Sequence, residues 1–227
     1  MKVCVLGSNG FIGKNLLKWR WINWVGVPRY KLDLTDQNKV REFFKDNTFD
    51  VVIHCAVVGG RCIKKDGSDV MYKNLLMFEN VVSSYNGKIL YFSSGAALRG
   101  NPPTDPYGFS KWLIDKRIET LPNVYCLRIW GCYGQHENST RFSALCKNIG
   151  HIVIEKDRYF DYIDIKDVRN VVNEYIYEMR ITKEIDLVYP EKRLLSEWAS
   201  VFGATHEIND KSGLDNPYVS DRTRPMY

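Results

Sequence analysis

Long apolar stretches and blocks of like charge are both missing from this sequence of 227 residues. No segment approaches the ~18 consecutive apolar residues of a membrane span, and the first residues enter a strand pattern rather than a basic and apolar leader. Lys and Arg (32) are interspersed with Asp and Glu (27), which leaves a net charge of +5 without the basic stripe of a nucleic-acid-binding protein. We therefore expect a soluble, cytoplasmic protein that binds neither a membrane nor nucleic acid.

Closely paired cysteines of the kind that bind metals are missing too. The six cysteines form no CxxC pair and lie mostly in apolar runs, where a free thiol packs like a small hydrophobic group. This pattern predicts reduced, intracellular thiols and no metal site. The six residues are Cys4, Cys55, Cys62, Cys126, Cys132 and Cys146.

The sequence does contain enough apolar material for a core, with 44% hydrophobic and 13% aromatic residues. Its length suits one domain, or one large core with a small appendage. Short, continuous apolar segments alternate with helical patterns, which predicts an α/β fold with a Rossmann-like, doubly wound, mostly parallel sheet. The predicted strands cover 1–6, 50–56, 88–93 and 124–129, and the predicted helices cover 11–17, 70–84 and 107–120.

The alternation weakens after residue 134. A polar stretch follows, then three shorter helical patterns over 142–148, 167–180 and 196–202, and a tail over 209–227 that is rich in Asp, Ser, Pro and Arg. We expect residues 1–134 to form the main domain and residues 135–227 to form a small C-terminal lobe, intertwined with it, on the substrate side.

A glycine-rich segment follows the first strand directly and opens the first helix. Its sequence is Gly7-Ser-Asn-Gly10-Phe-Ile-Gly13. Glycines let a backbone turn tightly and approach a pyrophosphate, and the amides at a helix start can bind the phosphates. A tight turn without a ligand is the alternative, but the position between strand and helix favours a nucleotide-binding loop.

A second motif, Tyr107-Gly-Phe-Ser-Lys111, begins a predicted helix. The spacing of four residues places the phenol and the ammonium on one helix face, where the cation can lower the pKa of the phenol and make it a proton donor or acceptor near neutral pH. Ser94, at the end of the preceding strand, supplies a hydroxyl. A surface Tyr and Lys would be the preferred interpretation for this motif alone, but its conjunction with the glycine loop favours catalysis.

With these motifs, the chain resembles the extended branch of the short-chain dehydrogenase/reductase superfamily, which acts on nucleotide sugars. The resemblance runs from Met1 to about Val172. Within the branch, Val58-Gly59-Gly60 and Tyr133-Gly-Gln-His136 are most similar to GDP-fucose synthases, and the shorter keto-sugar reductases that form dTDP-rhamnose are similar too. The other matching segments are Asp33-Leu-Thr-Asp36, Asp50-Val-Val-Ile-His54-Cys-Ala56, Asn74, 127–134 and 158–167.

The resemblance implies a nicotinamide dinucleotide on the glycine loop. Tyr107 would be the general acid and base, Lys111 would bind the nicotinamide ribose and tune Tyr107, and Ser94 would hold the substrate carbonyl or hydroxyl. Asp36 would lie by the adenine ring and Ala56 near the phosphates. The implied cofactor-binding residues are Gly7, Asn9, Gly10, Phe11, Ile12, Gly13, Arg29, Leu34, Asp36, Ala56, Asn74 and Lys111.

Three of the implied positions have structural alternatives. Asn74 would order a water near Lys111, or it is an ordinary polar residue of a helix surface. Arg158 would reach a substrate phosphate, or it is a solvated arginine. His136 would contact the substrate, although a lone loop histidine is more often structural or solvated. The implied substrate-binding residues are Ser94, Arg158 and His136.

The end of the second strand bears on the choice of cofactor. An acidic residue there binds the ribose hydroxyls of NAD, whereas arginine accommodates the phosphate of NADP. The sequence reads Val25-Gly-Val-Pro-Arg29-Tyr-Lys31, with no acid before Asp33. We therefore favour NADP(H) over NAD(H), with Arg29, Lys14 and Lys31 as the candidate phosphate ligands.

The chain also departs from the family at the strand end. Ser94 is followed by Gly95-Ala-Ala97, without the acidic pair of the dehydratases and without the cysteine that GDP-fucose synthases use for epimerisation. Dehydration is therefore not expected, and the epimerising half is missing. The register leaves Ser93 and Gly95 as alternatives to Ser94 at the substrate, and Cys132 is interpreted as a packing residue.

Together these features predict a reductase that transfers hydride from NADPH to the keto group of a nucleotide-linked deoxysugar. Tyr107 would protonate the developing alkoxide, with Lys111 and Ser94 assisting. Two alternatives stay open: a 4-epimerase with tightly bound NAD, and a dinucleotide-sensing module without turnover. The resemblance further implies a homodimer formed by the helices over 70–84 and 107–120.

Overall fold

The computed structural model describes residues 1–19, 21–60 and 65–221. Cys62 and the end of the predicted tail lie outside these residues. The strands are β1 (Lys2–Leu6), β2 (Asn23–Val27), β3 (Val51–His54), β4 (Lys88–Ser94), β5 (Val124–Ile129), β6 (Gly131–Tyr133), β7 (His151–Lys156), β8 (Tyr162–Asp164), β9 (Glu184–Leu187) and β10 (Thr205–Asp210). The helices are α1 (Phe11–Leu16), α2 (Gln37–Asp46), α3 (Ser68–Ser84), α4 (Pro106–Ile118), α5 (Phe142–Ile149), α6 (Ile165–Ile176) and α7 (Leu195–Val201), with a short 3-10 helix over Gly95–Leu98.

The main sheet has six strands in the order β2-β1-β3-β4-β5-β9. β1 pairs in parallel with both β2 and β3, and β3 pairs in parallel with β4. Helices connect these strands, and the burial of nearly every residue of β1, β3 and β4 is typical of a sheet covered on both faces. The predicted α/β, Rossmann-like class is thus confirmed.

The strand order reverses between β1 and β3, since the chain leaves β1 toward β2 and later returns to the other side of β1 as β3. The order begins 2-1-3-4-5, as in one of the two common doubly wound arrangements, so β2 is an edge strand. Ligands of open α/β sheets bind outside the carboxyl ends of the strands at such a switch point. The glycine segment follows the carboxyl end of β1, and Ala56 follows that of β3.

The chain forms two compact units. The first comprises residues 1–128 and 172–185, and the second comprises 129–171 and 186–227. The boundary predicted at residue 134 stays a prediction. The core of the first unit lies between sheet and helices, where residues of β1, β3, β4 and α4 pack with those of α3; its fully buried members include Cys4, Leu6, Phe78, Ile89 and Ile114.

The second unit has an aromatic core of its own. Tyr162 of β8 packs edge-on against Trp198 of α7 at 5.3 Å between ring centroids, and Phe202 stacks on Trp198 at 5.5 Å. Cys146 of α5 and Ile154 of β7 are buried in the same cluster. Two-stranded parallel sheets complete the unit, β7 with β10 and β6 with β8.

Local signals set the start of α4, which carries the YxxxK motif. The carboxylate of Asp105 accepts a hydrogen bond from the amide of Gly108 at 2.8 Å, and Pro106 occupies the first helical position, where its missing N–H costs nothing. Asp36 begins α2 in the same way through the amide of Lys39. The helix predicted over 167–180 instead spans Ile165–Ile176, and Glu178 just beyond it has a positive φ of 60°.

The cysteines within the described ranges are free thiols. Cys4, Cys126, Cys132 and Cys146 are buried and Cys55 is partly buried, so Cys132 packs as the sequence predicts. Among the residues that the structure describes, none of the helices combines the length and apolar composition of a membrane span.

Candidate functional site

The glycine loop after β1 is built so closely that a side chain cannot replace Gly7 or Gly13 without displacing the backbone around them. Gly7 has a φ of 77°, and its amide donates to the carbonyl of Val27 at 3.0 Å. A Cβ on Gly7 would lie 2.6 Å from the amide nitrogen of Ala56, and one on Gly13 would lie 2.7 Å from the Cα of Ser8. The loop therefore presents bare backbone beside the end of β3, which fits the approach of a dinucleotide pyrophosphate.

The other predicted loop residues occupy the same turn. The amide of Gly10 donates to the carbonyl of Gly7 at 3.0 Å, and Gly10 is the N-cap of α1. Asn9 is exposed, and Phe11 and Ile12 form the first helical positions and are partly buried. The structure thus brings the whole predicted loop together with Ala56 at the strand-order reversal, while their contact with a cofactor stays a prediction.

The first acid after β2, Asp33, is held in a local turn. Asp33 accepts hydrogen bonds from the amide and the hydroxyl of Thr35, at 3.0 and 2.7 Å, and these bonds hold the pKa of its carboxyl below the usual value. The guanidinium of Arg29 is exposed and lies 3.6 Å from Asp33. Lys14 and Lys31 are exposed as well.

Leu34 and Asp36 follow at the start of α2. Leu34 is buried, and its carbonyl accepts a hydrogen bond from Asn80 at 2.8 Å. The carboxylate of Asp36 accepts from the amide of Lys39 and pairs with its ammonium at 3.1 Å, which lowers the pKa of Asp36. Asp36 therefore serves as the cap of α2, and its predicted contact with an adenine stays a prediction.

Lys111 is a buried charged group of the first unit. It is 2% exposed, and its Nζ donates at 2.8 Å both to the hydroxyl of Tyr91 and to the carbonyl of Phe92. The ammonium lies 4.5 Å from the ring centroid of Tyr91 and 5.8 Å from that of Tyr107. Burial lowers the pKa of Lys111 from 10.5 to about 8, against the opposing field of Asp115. The predicted pair is thus brought together, with the cation held in the protein interior.

Two serines end β4, and the structure gives them different partners. The hydroxyl oxygen of Ser94 accepts a hydrogen bond from the amide of Ala96 at 3.2 Å, which caps the short 3-10 helix. The hydroxyl of Ser93 is buried and has no hydrogen-bond partner within the described part of the chain. Which of the two faces a substrate stays a prediction.

Beneath Lys111, a buried ion pair joins α4 to β5. The guanidinium of Arg128, 2% exposed, contacts the carboxylate of Asp115 at 2.8 Å and that of Glu184 at 3.1 Å. Asp115 also accepts a weak hydrogen bond from the thiol of Cys126 at 3.5 Å. The negative charge of Asp115 raises the pKa of Lys111 and so supports its protonated form.

His54, at the end of β3, is not a base in this arrangement. Its ring packs 5.4 Å from that of Tyr91, and burial together with the charge of Lys111 lowers its pKa to about 3. The imidazole is therefore neutral at physiological pH and acts as a packing group.

Asn74 of α3 is buried, and its amide bonds to the backbone of Val58 and to the hydroxyl of Ser110. It is therefore not the exposed helix residue that was the structural alternative. Its predicted role toward a water and the cofactor stays a prediction.

The two other predicted substrate residues lie in the second unit. The guanidinium of Arg158 pairs with Asp215 at 3.3 Å and lines a cavity of about 270 Å³ that Phe142, Lys156 and Leu195 also line. His136 is exposed on a loop with a φ of 66°. Within the described ranges, no cluster of three or more His, Cys, Asp or Glu side chains is arranged to hold a metal ion.

Three residues that contact the YxxxK motif were not predicted from the sequence. Tyr91 holds Lys111, Ser110 bonds to the carbonyl of Tyr107 at 2.7 Å, and Gly60 lies against the Tyr107 ring. Ser110 stands inside the YxxxK motif and Gly60 inside a quoted glycine pair, so both had a signal. For Tyr91, the only signal in the sequence was its position two residues before Ser93, which places both side chains on the same face of the strand.

Comparisons with known proteins cover most of the chain. The family model described as "NAD dependent epimerase/dehydratase family" matches residues 3–176. The UDP-glucose 4-epimerase of Pongo abelii is 29% identical over 152 residues, which are 57% of this chain and 44% of that protein. The chain thus spans less than half the length of this curated relative.

Two solved structures share the fold. The dTDP-4-dehydrorhamnose reductase of Bacillus anthracis str. Ames, in complex with NADP, has a TM-score of 0.82 at 18% identity, covering 96% of this chain and 88% of that one. A GDP-L-fucose synthetase of Naegleria fowleri bound to NADP has a TM-score of 0.77 at 16% identity, covering 96% and 83%.

Proposed function

The chain belongs to the NAD-dependent epimerase/dehydratase family, and on that premise we propose that it is an NADPH-dependent reductase of a nucleotide-linked keto-deoxysugar. The observation that carries the proposal is the buried ammonium of Lys111 beside Tyr107. Burying a cation costs free energy unless an opposite charge pairs with it, so a buried cation suits a functional role. A cation next to a phenol favours the phenolate. The pair therefore suits a tyrosine that gives up its proton near neutral pH.

The proposed reaction adds a hydride and a proton to a ketone. Tyr107 donates its hydroxyl proton to the carbonyl oxygen as negative charge develops there, and the charge of Lys111 stabilises the phenolate that is left. Reduced nicotinamide, when bound, supplies the hydride to the carbonyl carbon. Ser94 is proposed to hold the substrate oxygen, and solvent then reprotonates Tyr107.

NADPH is favoured over NADH by the segment after β2. Pro28 and Arg29 stand where an acid would bind the ribose hydroxyls of NAD, and the first acid, Asp33, is already bonded to Thr35. The exposed guanidinium of Arg29 suits a ribose phosphate. The two solved relatives are described with NADP, which agrees with this choice.

On the substrate side, Arg158 is proposed to contact a phosphate of the nucleotide. Its guanidinium lines the cavity of the second unit and is neutralised there by Asp215. A bound phosphate would compete with that carboxylate for the same planar donors. His136, exposed on its loop, is proposed to contact the sugar portion.

The second candidate function is a 4-epimerase, because curated relatives that are about 29% identical to this chain are UDP-glucose 4-epimerases. Such an enzyme returns the hydride and consumes no reduced cofactor overall. A third candidate is a sensor without turnover, which is favoured by the engagement of Ser94 in the cap of the 3-10 helix. Net cofactor consumption separates the reductase from the other two, and interconversion of sugar epimers separates the epimerase from the sensor.

The test mixes purified protein with NADPH or NADH and a panel of nucleotide-linked 4-keto-6-deoxysugars made by a dehydratase. We expect reduced-nicotinamide absorbance to fall with NADPH more than with NADH, and the fall to be absent in Tyr107→Phe. Interconversion of nucleotide-sugar epimers without net consumption would instead establish the epimerase. Cofactor binding without either reaction would leave the sensor.

We also propose that the protein is a homodimer formed by α3 and α4. Tyr72 on α3 is 64% exposed, and Phe109 and Trp112 stack at 6.0 Å on α4, where both are only partly buried. Aromatic groups that are exposed or only half-buried on adjacent helices suit a second copy of the same pair. Light scattering is expected to give twice the mass of one chain, and Trp112→Arg is expected to give a monomer. A monomeric wild-type protein would contradict the proposal.

A further inference from the structure

Tyr91 is a buried tyrosine of β4 whose hydroxyl is bonded to the ammonium of Lys111. It is 2% exposed, and its ring packs edge-on against the rings of Phe78 and His54, at 5.2 and 5.4 Å between centroids. The Nζ of Lys111 donates to its hydroxyl oxygen at 2.8 Å. Because rings from α3 and β3 hold the tyrosine, the acceptor that Lys111 meets has a fixed position.

The ammonium of Lys111 has three N–H bonds, and β4 fixes the directions of two of them. One donates to the hydroxyl of Tyr91 and another to the carbonyl of Phe92, each at 2.8 Å. With two directions fixed, the tetrahedral geometry of the nitrogen fixes the third. The ring centroid of Tyr107 lies 5.8 Å from the same nitrogen, so the Tyr91 hydroxyl helps to decide where the charge stands beside Tyr107.

Tyr91 holds this ammonium without neutralising it. Burial raises the pKa of Tyr91 well above its usual value, and the negative charge of Asp115 raises it further. The hydroxyl therefore keeps its proton and stays a neutral acceptor. A carboxylate in its place would pair with the cation and weaken the effect of that cation on a second phenol. Lys111 thus keeps its charge for Tyr107.

Other titratable groups also face Lys111, from three elements of the first unit. They are Tyr107 and Asp115 of α4, His54 and Cys55 at the end of β3, and Cys126 of β5. Burial lowers the pKa of His54 to about 3 and raises the pKa of both thiols, so these three groups stay uncharged between pH 6 and pH 10. The titration of Lys111 in this range can therefore be followed against nearly constant surroundings, with Tyr107→Phe as the control for the phenol.

We propose that Tyr91 is a positioning residue whose hydroxyl holds the ammonium of Lys111 at the place from which its charge acts on Tyr107. This role rests on the proposed function, in which Tyr107 is the proton donor and Lys111 stabilises the phenolate. Electrostatic stabilisation depends on a charge that is already in place when the reaction begins. An ammonium without this acceptor can turn toward other oxygens. Tyr91 acts through Lys111 and not on the substrate itself.

The test is Tyr91→Phe, which removes the hydroxyl and keeps the packed ring. Tyr85→Phe is the matched control, because the hydroxyl of Tyr85 likewise makes a hydrogen bond, to the carbonyl of Phe49 at 3.0 Å, and its ring packs 5.2 Å from that of Phe44. The direct readout is the pH titration of the Lys111 Cε resonance in cofactor-free protein labelled at lysine Cε. Lys111→Met identifies this resonance.

We expect the midpoint of the Lys111 titration, about pH 8 in the wild type, to fall by about one pH unit or more in Tyr91→Phe, because a hydrogen bond to the charged form favours that form. The midpoint should stay in place in Tyr85→Phe. With an active substrate, kcat at pH 6 is expected to fall by about 10-fold to 10²-fold in Tyr91→Phe, while the KM for the sugar changes less than about twofold.

A Lys111 titration that is the same in Tyr91→Phe and in the wild type would overturn the proposal. If Tyr91→Phe does not fold, 3-fluorotyrosine incorporated at position 91 decides, since it keeps the packing and makes the phenol oxygen a weaker acceptor. It should move the midpoint in the same direction by a smaller amount, and an unmoved midpoint would again overturn the proposal.

The titration and the turnover assay also separate the two proposals, because the titration needs neither substrate nor cofactor. A lowered midpoint in Tyr91→Phe, in a protein that reduces no sugar of the panel, would refute the reductase and retain the hold of Tyr91 on Lys111. Full reductase activity with an unmoved midpoint would do the opposite.

Discussion

Asp115→Ala is expected to lower the free energy of unfolding by about 3–5 kcal/mol, the usual cost of stranding one partner of a buried ion pair. Arg128 is 2% exposed, and the carboxylate of Asp115 is only 10% exposed at 2.8 Å from it. The second acid, Glu184, is 41% exposed and is therefore screened by solvent. Chemical denaturation followed by circular dichroism measures the change.

Lys116→Ala is the matched control for this prediction. Lys116 is the next residue of the same helix, and its pair with Glu119, at 2.7 Å, has 55% and 61% of the two side chains exposed. Removing an exposed pair costs at most about 1 kcal/mol. Equal losses for the two variants would show that the Asp115 pair is solvated and would contradict the buried network.

The strands and helices of the first unit could largely be predicted from the sequence, because a sheet covered on both faces needs continuous apolar strands. β5 covers the predicted segment 124–129, and α3 extends the predicted 70–84 by two residues. The second unit was harder to predict. The segment that contains β7 mixes strand-like residues such as Ile152 and Ile154 with charged ones such as Glu155 and Lys156, so its sequence gives no clear assignment.

In the site, the glycine loop and the Tyr107–Lys111 pair were predictable because each is defined by spacing within one short segment. The partners of Lys111 were not, since Tyr91 lies 20 residues away and meets it only when α4 packs on β4. The spacing of the motifs also did not decide which serine at the end of β4 faces the substrate. A strand presents alternate residues to opposite faces, so Ser93 and Ser94 differ by their partners and not by their sequence.

Lys111→Met is expected to reduce turnover by about 10²–10⁴-fold, the range of general acid–base catalysis, because Tyr107 loses the charge that stabilises its phenolate. In the wild type, kcat/KM for reduction is expected to fall above about pH 8, where Lys111 loses its proton in the free enzyme. Steady-state rates between pH 6 and pH 10 measure the profile.

Two variants test whether Lys111 is the group that titrates. Lys111→Arg keeps its charge at every accessible pH, so whatever rate it retains should lose the decline near pH 8. Asp115→Ala should move the decline to lower pH, because Asp115 raises the pKa of Lys111. An unchanged decline in Lys111→Arg would assign it to another group.

The pH dependence of the free energy of unfolding gives an independent measurement of the same pKa. Because burial lowers the pKa of Lys111, this free energy should rise with pH. Between about pH 8 and 10.5 the unfolded chain keeps the proton of Lys111 while the folded chain has released it. Stability rises with pH wherever the unfolded state binds more protons, so Lys111 should contribute a rise of up to about 1.4 kcal/mol per pH unit in this window. Below pH 8 both states hold the proton, and Lys111 does not change the free energy of unfolding with pH.

The difference between the wild type and Lys111→Met isolates this rise from the titration of other groups. A difference that does not change with pH would mean that Lys111 keeps its ordinary pKa, and the decline of activity near pH 8 would then need a different cause.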